Sequence, residues 1–495
     1  MSISRAPAGT GVAAHTTAKS PSAAWTLVLA SLGVFMTALD TLVVANSLPA
    51  LRQSLHANLS DLEWTVNAYN LAFAVALLTG AALGDRYGRK RMYCIGLLGF
   101  TIASAAAAVS PSVGALIAAR GVQGLAAAIV TPMTLTLISE AFPAAKRGAA
   151  IGLWGGITGL AVALGPVVGG AIVGGISWHW IFWLNVPIGV ALIPLSMARL
   201  TDSHGPRSKL DTVGLLLAGA GFFGITWGLI RASRIGWVST ETVTALILGA
   251  VLVATFLQWE RRTTAPMLSP QLFRSRTFNA ANGVSFFMYA SLFGVLFLMM
   301  QFLQTALGYS PLQAGLRTLP WTGAPMLVAP LAGALADRIG NRPLLLTGLA
   351  LQAAGLGWIA AIATPRMSYN WLAVALGVAG VGISMCFPTV ANAVVGSVPP
   401  SEMGIASGTN SALREIGGVF GIAILASVFA HPGVYTSPST FIDHFKNAVW
   451  LGAAFSVVGI LAAAALPARG HGEAGLLLPT HDADLAVAAA GGPVA

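Results

Sequence analysis

A few ionisable side chains lie inside long apolar runs, where a charge must be neutralised or put to use. Asp40 stands in Ala38-Leu39-Asp40-Thr41-Leu42, Arg120 in Ala118-Ala119-Arg120-Gly121-Val122, and Arg414 and Glu415 in Ala412-Leu413-Arg414-Glu415-Ile416. A carboxylate removed from water can gain or lose a proton near neutral pH, and an arginine beside it favours the ionised form. Such a pair can tie proton binding to shape. Polar neighbours accompany them: Gln123 is one turn beyond Arg120, and Glu63, Asn67 and Asn70 recur at i, i+4 and i+7. Asn67 and Asn70 read as cavity residues. Glu63, closer to the end of its run, reads as a solvated carboxylate.

These residues need helices that cross a bilayer. Of 495 residues, 56% are hydrophobic and 8% charged, and the mean hydropathy is +0.78, outside the range of soluble globular domains. About 20 apolar residues cross a hydrocarbon core, and fourteen such spans are expected at 25–48, 62–83, 92–110, 112–139, 147–174, 178–198, 213–231, 241–260, 278–301, 311–336, 343–363, 371–395, 403–430 and 447–466. The first 23 residues and those after Pro467 have the composition of disordered tails. The first apolar run is too long for a cleavable signal peptide.

Orientation follows from the basic residues. With alternating spans, one side holds Arg5, Lys19, Arg86, Arg89, Lys90, Arg91, Lys146, Arg147, Arg199, Arg207, Lys209, Arg261, Arg262, Arg274, Arg276, Arg338, Arg342 and Arg469. The other holds Arg52, Arg231, Arg234, Arg366 and Lys446. Eighteen against five places both termini in the cytoplasm of a cell-membrane protein. The net charge of +10 is accounted for by these loops and anionic headgroups, so no nucleic-acid partner is implied. Cys94 and Cys386 read as small apolar residues rather than a disulfide, and nothing suggests a metal site.

A charged phrase occurs twice, as Leu83-Gly84-Asp85-Arg86-Tyr87-Gly88-Arg89-Lys90 and as Leu335-Ala336-Asp337-Arg338-Ile339-Gly340-Asn341-Arg342. Each closes the second span of a six-span unit, and the surplus pair of spans falls between the units. The division is a tail at 1–23, a six-helix bundle at 24–200, a linker with two additional spans at 201–275, a second six-helix bundle at 276–467 and a tail at 468–495. The phrase offers a carboxylate, basic partners and a helix end within one turn, suited to a latch between neighbouring helices that opening on that side must break. A plain topology anchor is the competing reading.

These residues resemble the major facilitator superfamily, and within it the fourteen-helix drug:proton antiporters. The likeness runs over about 24–467. It rests on Asp85, Arg86, Gly88, Arg89 and Lys90, with Ala81 where the family has Gly, and on the copy at Asp337, Arg338 and Gly340, which keeps that glycine as Gly333. It rests also on Arg120, Gln123, Gly124, Ala127 and Ala128, on the first-span motif around Asp40, and on the antiporter motif Gly152, Ala161, Gly165, Pro166, Gly169 and Gly170. Ser407 to Gly418 looks like the thirteenth helix of these antiporters.

The resemblance implies an all-α major facilitator fold. It also implies a non-enzymatic, proton-coupled exporter of amphipathic drugs, antibiotics or natural products, driven by the proton motive force without a cofactor and working as a monomer. Proton coupling and substrate binding fall to Asp40, Arg120, Glu415, Asn67, Asn70, Gln123 and Arg414; whether Asp40 and Arg120 form a static or a switching pair, and whether Glu415 pairs or titrates, stays open. A transporter of another solute (peptide, siderophore, amino acid or sugar derivative), an importer and a non-transporting sensor of the same fold are the alternatives. The chain has no phosphate-binding Gly-x-x-x-x-Gly-Lys-Ser/Thr loop and no His-Glu-x-x-His or nucleophile set. The aromatics Tyr69, Trp154, Phe286, Phe287, Tyr289 and Trp321 suit either a pocket wall or packing.

Overall fold

A computed structural model describes residues 23–204, 210–264, 266–399, 402–431 and 433–467. Both expected tails, and Arg207 and Lys209, lie outside the described residues. Among those described, helices account for all regular secondary structure, and fourteen helical stretches are long and apolar enough to cross a membrane. The reason is general: in lipid a backbone must bond to itself, and a helix does so within one segment.

The first group of helices comprises α1 (Ala23–Ser54), α2 (Leu59–Tyr87), α3 (Arg89–Ala108), α4 (Val113–Ala141), α5 (Ala144–Gly175), α6 (His179–Trp183) and α7 (Asn185–Arg199). It is followed by α8 (Thr212–Ile235) and α9 (Thr240–Glu260). The second group comprises α10 (Arg276–Gln301), α11 (Pro311–Arg317), α12 (Leu319–Thr322), α13 (Ala324–Ile339), α14 (Asn341–Ile362), α15 (Tyr369–Val395), α16 (Met403–Phe429) and α17 (Pro438–Ala464). Helices α1–α7 pack on one another, as do α10–α17, giving two lobes.

Two expected spans are not continuous. The run at 178–198 breaks at Leu184, because Pro187 has no N–H to donate to the Trp183 carbonyl. The run at 311–336 is three pieces: Pro320 and Pro325 each open a new helix, and Gly323 joins them. The ninth span runs on past 301 into a π turn, Phe302–Ala306.

The repeated phrase turns a corner in the same way twice. Gly88 (φ +102°) and Gly340 (φ +87°) hold a left-handed turn between consecutive helices, and each N–H closes the preceding helix, on Gly84 and Ala336 respectively. Ala81 does not weaken the contact of α2 with α4, because that contact is made by Gly80, against the Ala128 carbonyl, and Gly84, against Met133.

Helices α8 and α9 form a glycine-seamed hairpin. A Cβ at Gly221 would stand 2.9 Å from the Val253 nitrogen, and one at Gly249 2.6 Å from the Ile225 nitrogen. Arg231 clamps the turn to Glu241 at 2.7 Å, while Asp211 caps α8 and accepts from the Trp259 indole at 2.9 Å. The hairpin rests on both lobes: Phe223 and Trp227 meet Trp64 of α2, and Leu229 and Ile230 pack with Phe420 and Ala423 of α16. Gly249→Val should lower unfolding stability by about 1–3 kcal/mol through overpacking, whereas Gly377→Ala, in open space, should be neutral. Thermal unfolding in detergent micelles measures both.

Candidate functional site

The first lobe is organised around one fully buried ion pair. Arg120 on α4 has no exposed surface; its Nη1 donates to Asp40 Oδ2 on α1 and, at 2.8 Å, to Gln123 Oε1, and its Nε donates to the Thr65 carbonyl of α2 at 3.2 Å. The guanidinium lies 4.3 Å from the Tyr69 ring centroid, a cation–π contact strengthened by desolvation. The second carboxylate oxygen is filled as well, since Asp40 Oδ1 accepts from Gln123 Nε2 at 2.9 Å and from Asn185 Nδ2 at 2.8 Å. Asn185 also donates to Ser104 Oγ at 3.1 Å, which donates to the Phe182 carbonyl at 2.8 Å. Helices α1, α2, α3, α4 and α7 therefore meet in one polar knot.

Asn185 did not stand out in the sequence. Its signal is the break before it: Pro187 ends α6, and Asn185 opens α7 at the depth of Asp40.

The remaining candidates on α2 lie elsewhere. Asn67 and Asn70 are buried yet make no bond to the knot: both amide atoms of Asn67 and the Asn70 nitrogen are unpartnered. Glu63 corrects the sequence reading. It is wholly buried rather than solvated, on a helix packed by α4, α16 and α8.

Glu415 and Arg414 stand on α16 in the second lobe. Their closest atoms, Arg414 Nη2 and Glu415 Oε1, are 3.8 Å apart, an ion pair beyond hydrogen-bond distance, and Arg414 sits 4.8 Å from the Tyr289 ring centroid. Tyr289 packs in turn with Phe293 and Phe387. Other candidate aromatics pack: Phe286 against Phe287 and Phe420, Trp154 bonded to Thr134, and Trp321 buried.

The antiporter residues of α5 pack it on α1 within the first lobe and, at Pro166 and Gly170, on α11 of the second. Gly165 takes Leu42 and Gly169 takes Val43 of α1, where added Cβ atoms would approach to 2.6 and 2.8 Å. Gly170 lies against the Pro311 carbonyl, and Gly315 of α11 lies against the Pro166 carbonyl. Asn46 pins this closure, donating to the carbonyls of Pro166 at 2.6 Å and Pro311 at 3.1 Å and accepting from Gln304 Nε2 at 2.6 Å. Its motif was visible in the sequence but its bridging role was not. Toward the basic loops Gly155, Gly156 and Gly159 meet nothing within 4 Å. Gly152 belongs to the same helix; its surroundings lie outside the described residues.

At the basic end, Arg89 donates to Asp85 Oδ1 at 2.6 Å and pairs with Glu140. Its backbone N–H reaches the Ser203 carbonyl at 2.8 Å, and Asp202 accepts from the Lys90 N–H at 3.1 Å while lying against Gly88. Arg86 is exposed over Tyr87. Among the described residues the partners of this latch come from α2, α4 and residues 202–203. In the second copy Arg338 is exposed, and the Asp337 side chain lies outside the described residues.

The Major Facilitator Superfamily model matches residues 30–273 and 282–489. The chain belongs to that superfamily. It is 37% identical over 407 residues to the multidrug resistance protein Stp of Mycobacterium tuberculosis, covering 82% of this chain and 75% of that protein. It is 35% identical over 410 residues to the tetracenomycin C resistance and export protein of Streptomyces glaucescens, covering 82% and 76%. Among solved structures, a POT family transporter in complex with 5-aminolevulinic acid shares the fold with a TM-score of 0.66 at 12% identity, over 89% of this chain and 96% of that one. This is a multi-pass membrane protein of a transporter family.

Removing either member of a buried pair strands the other, at a cost of about 3–5 kcal/mol. Asp40→Ala and Arg120→Ala should each lose stability on that scale, and the double variant should lose about 1–3 kcal/mol less than their sum. Denaturant unfolding of the micellar protein gives the cycle; strictly additive losses would contradict the contact.

Proposed function

We propose that this protein is a proton-coupled exporter of amphipathic drugs, antibiotics or natural products, working by alternating access between its two lobes. The observation that carries the reading is the pairing of a dry, charged knot at Asp40 with a seam pinned by Asn46 at one end and loose along α5 at the other. A substrate site between the lobes would then be open to one side at a time. The names of the relatives, resistance and export proteins, support the direction of transport.

Lys and Arg gather at the loose end, which the positive-inside rule assigns to the cytoplasm together with both termini. The pinned end is then the outer one. Tyr289 and Phe293 with Arg414 and Glu415 on the second lobe offer an aromatic surface with both charges, suited to planar amphipathic molecules. Energy comes from protons: one entering charge supplies roughly 2.3 kcal/mol per 100 mV. Asp40 gains a proton when Arg120 and Asn185 withdraw from it and releases it when they return, so charge and shape change together. The protein acts as a monomer, without a cofactor.

Inside-out vesicles loaded with a panel of planar aromatic compounds test this. Accumulation should require an imposed pH gradient and should draw protons the opposite way, and Asp40→Asn should lower gradient-driven transport at least about tenfold. Equal fluxes with and without the gradient would reject antiport. Gly170→Val, by wedging the pinned end apart, should abolish transport and raise labelling of a cysteine at Gln304 by an impermeant maleimide, whereas Gly155→Ala should stay within about twofold of the parent.

A further inference from the structure

Glu63 is the buried charge that the Asp40 knot leaves unused. It lies on α2 one turn past the end capped by Asn58, its relative exposure is 0%, and among the described residues neither carboxylate oxygen has a hydrogen-bond partner. An ionised carboxylate so placed has nothing to replace its hydration, whereas a neutral acid fits. Among the second-lobe helices it is α16 that packs on α2, and Phe420, Ala423 and Ile424 of α16 lie in one cluster with Trp64, the residue next to Glu63. Docking α2 on α16 therefore encloses a group that must hold a proton to be enclosed.

Water is close on one side. A cleft of about 650 Å³ opens at the pinned end, lined by Arg52, Asn58, Leu59 and Ser60 from the first lobe and by His431 and Tyr435 from the chain after α16. Leu59 is one turn from Glu63. On the other side the same face of α2 carries Asn67, with both amide atoms unpartnered, and Asn70, with its nitrogen unpartnered. Arg120 lies along that stretch, on the Thr65 carbonyl and the Tyr69 ring, with Nη2 also unpartnered. A row of unspent polar atoms leads from the cleft toward the Asp40 knot.

The titratable and charged groups around Glu63 are few. Asp61, on α2 itself, is engaged in the cap with Asn58, and Arg231 of α8 is held by Glu241. Arg120 of α4 serves Asp40. Arg52 of α1 lies 3.3 Å from the Tyr435 ring centroid, His56 and His431 line the cleft, and His431 stacks on His444 of α17; the Glu63→Gln comparison separates these imidazoles from Glu63. The outer half of α16, residues 416–429, carries no titratable side chain. Burial pushes the Tyr435 hydroxyl up; Arg52 pulls it back, and Glu63 is near enough to push it further.

We propose that Glu63 is the outer proton-exchange residue of this transporter. It holds a proton while the lobes are joined at the pinned end and gives it to water when they part. The step is a simple proton transfer: the Oε–H bond breaks, the pair of electrons stays on the carboxylate, and the proton passes inward along water held by Asn67 and Asn70, so that the proton next taken up from the cleft enters the protein. The charge then keeps the end open until a proton returns. The assignment of a transport role rests on the exporter reading above; the opening itself does not.

Spin labels at Gln53 and Thr436, in a background lacking Cys94 and Cys386, report that opening in the full chain. The distance should lengthen in the parent between about pH 5 and about pH 9, and Glu63→Gln, fixed in the neutral shape, should stay short throughout with an unchanged melting temperature. If Glu63→Gln does not fold, Glu63→Asp decides the matter, and its midpoint should fall by about 0.4 pH unit or more. A parent that does not open with pH, a Glu63→Gln protein that opens with the parent's midpoint, or an unmoved midpoint in Glu63→Asp overturns the proposal. Vesicle fluxes separate the two readings. A parent with no proton-coupled flux but a Glu63-dependent opening sinks the exporter reading alone, whereas coupled flux with a Glu63-independent opening sinks this one alone.

Discussion

A charge inside a lipid-embedded bundle cannot be left alone, and the structure of the first lobe follows from meeting that demand at Arg120. The guanidinium is fully buried and is answered by Asp40, Gln123, the Thr65 carbonyl and the Tyr69 ring. Each partner comes with a helix attached, so satisfying one side chain fixes the mutual depth of α1, α2 and α4. Asn185 then brings α7 to the same carboxylate, at the one place where the sixth span is broken. An exposed ion pair would contribute little; here, the cost of stranding either partner gives the pair control of the lobe.

The seam between lobes works by a different rule. Little hydrophobic force draws helices together within lipid, so close approach and direct hydrogen bonds must do it. Gly165, Gly169 and Gly170 bring α5 onto α1 and α11, and Gly315 returns the approach from the other side. Asn46 uses the carbonyls that this closeness exposes, and the π turn carries Gln304 to it. Glycine, a poor residue for helix stability in water, is what lets the helices approach so closely here.

The two copies of the charged phrase share a backbone. The one after α2 is knitted to α4 and to residues 202–203 and acts as a brace. The one after α13 has the same glycine turn at Gly340, and Arg338 is exposed as Arg86 is.

Much of the architecture was legible from composition and periodicity, because a bilayer admits few solutions: apolar length sets the spans, Pro and Gly mark their breaks, and a repeated phrase marks duplication. Asp40 and Arg120 were legible as a problem, two costly charges at one depth. The chain alone could not say that Asn185 completes the carboxylate, that Asn46 bridges the lobes, or that Glu63 is sealed off from water, since each depends on a helix distant in sequence arriving at that point. The amino-acid order determined which groups must be buried in pairs and where the helices bend; the tertiary packing decided which partner each group meets and which, like Glu63, meets none. The physical reason is that hydropathy is a property of a segment, whereas satisfaction of a polar atom is a property of everything within about 3 Å of it.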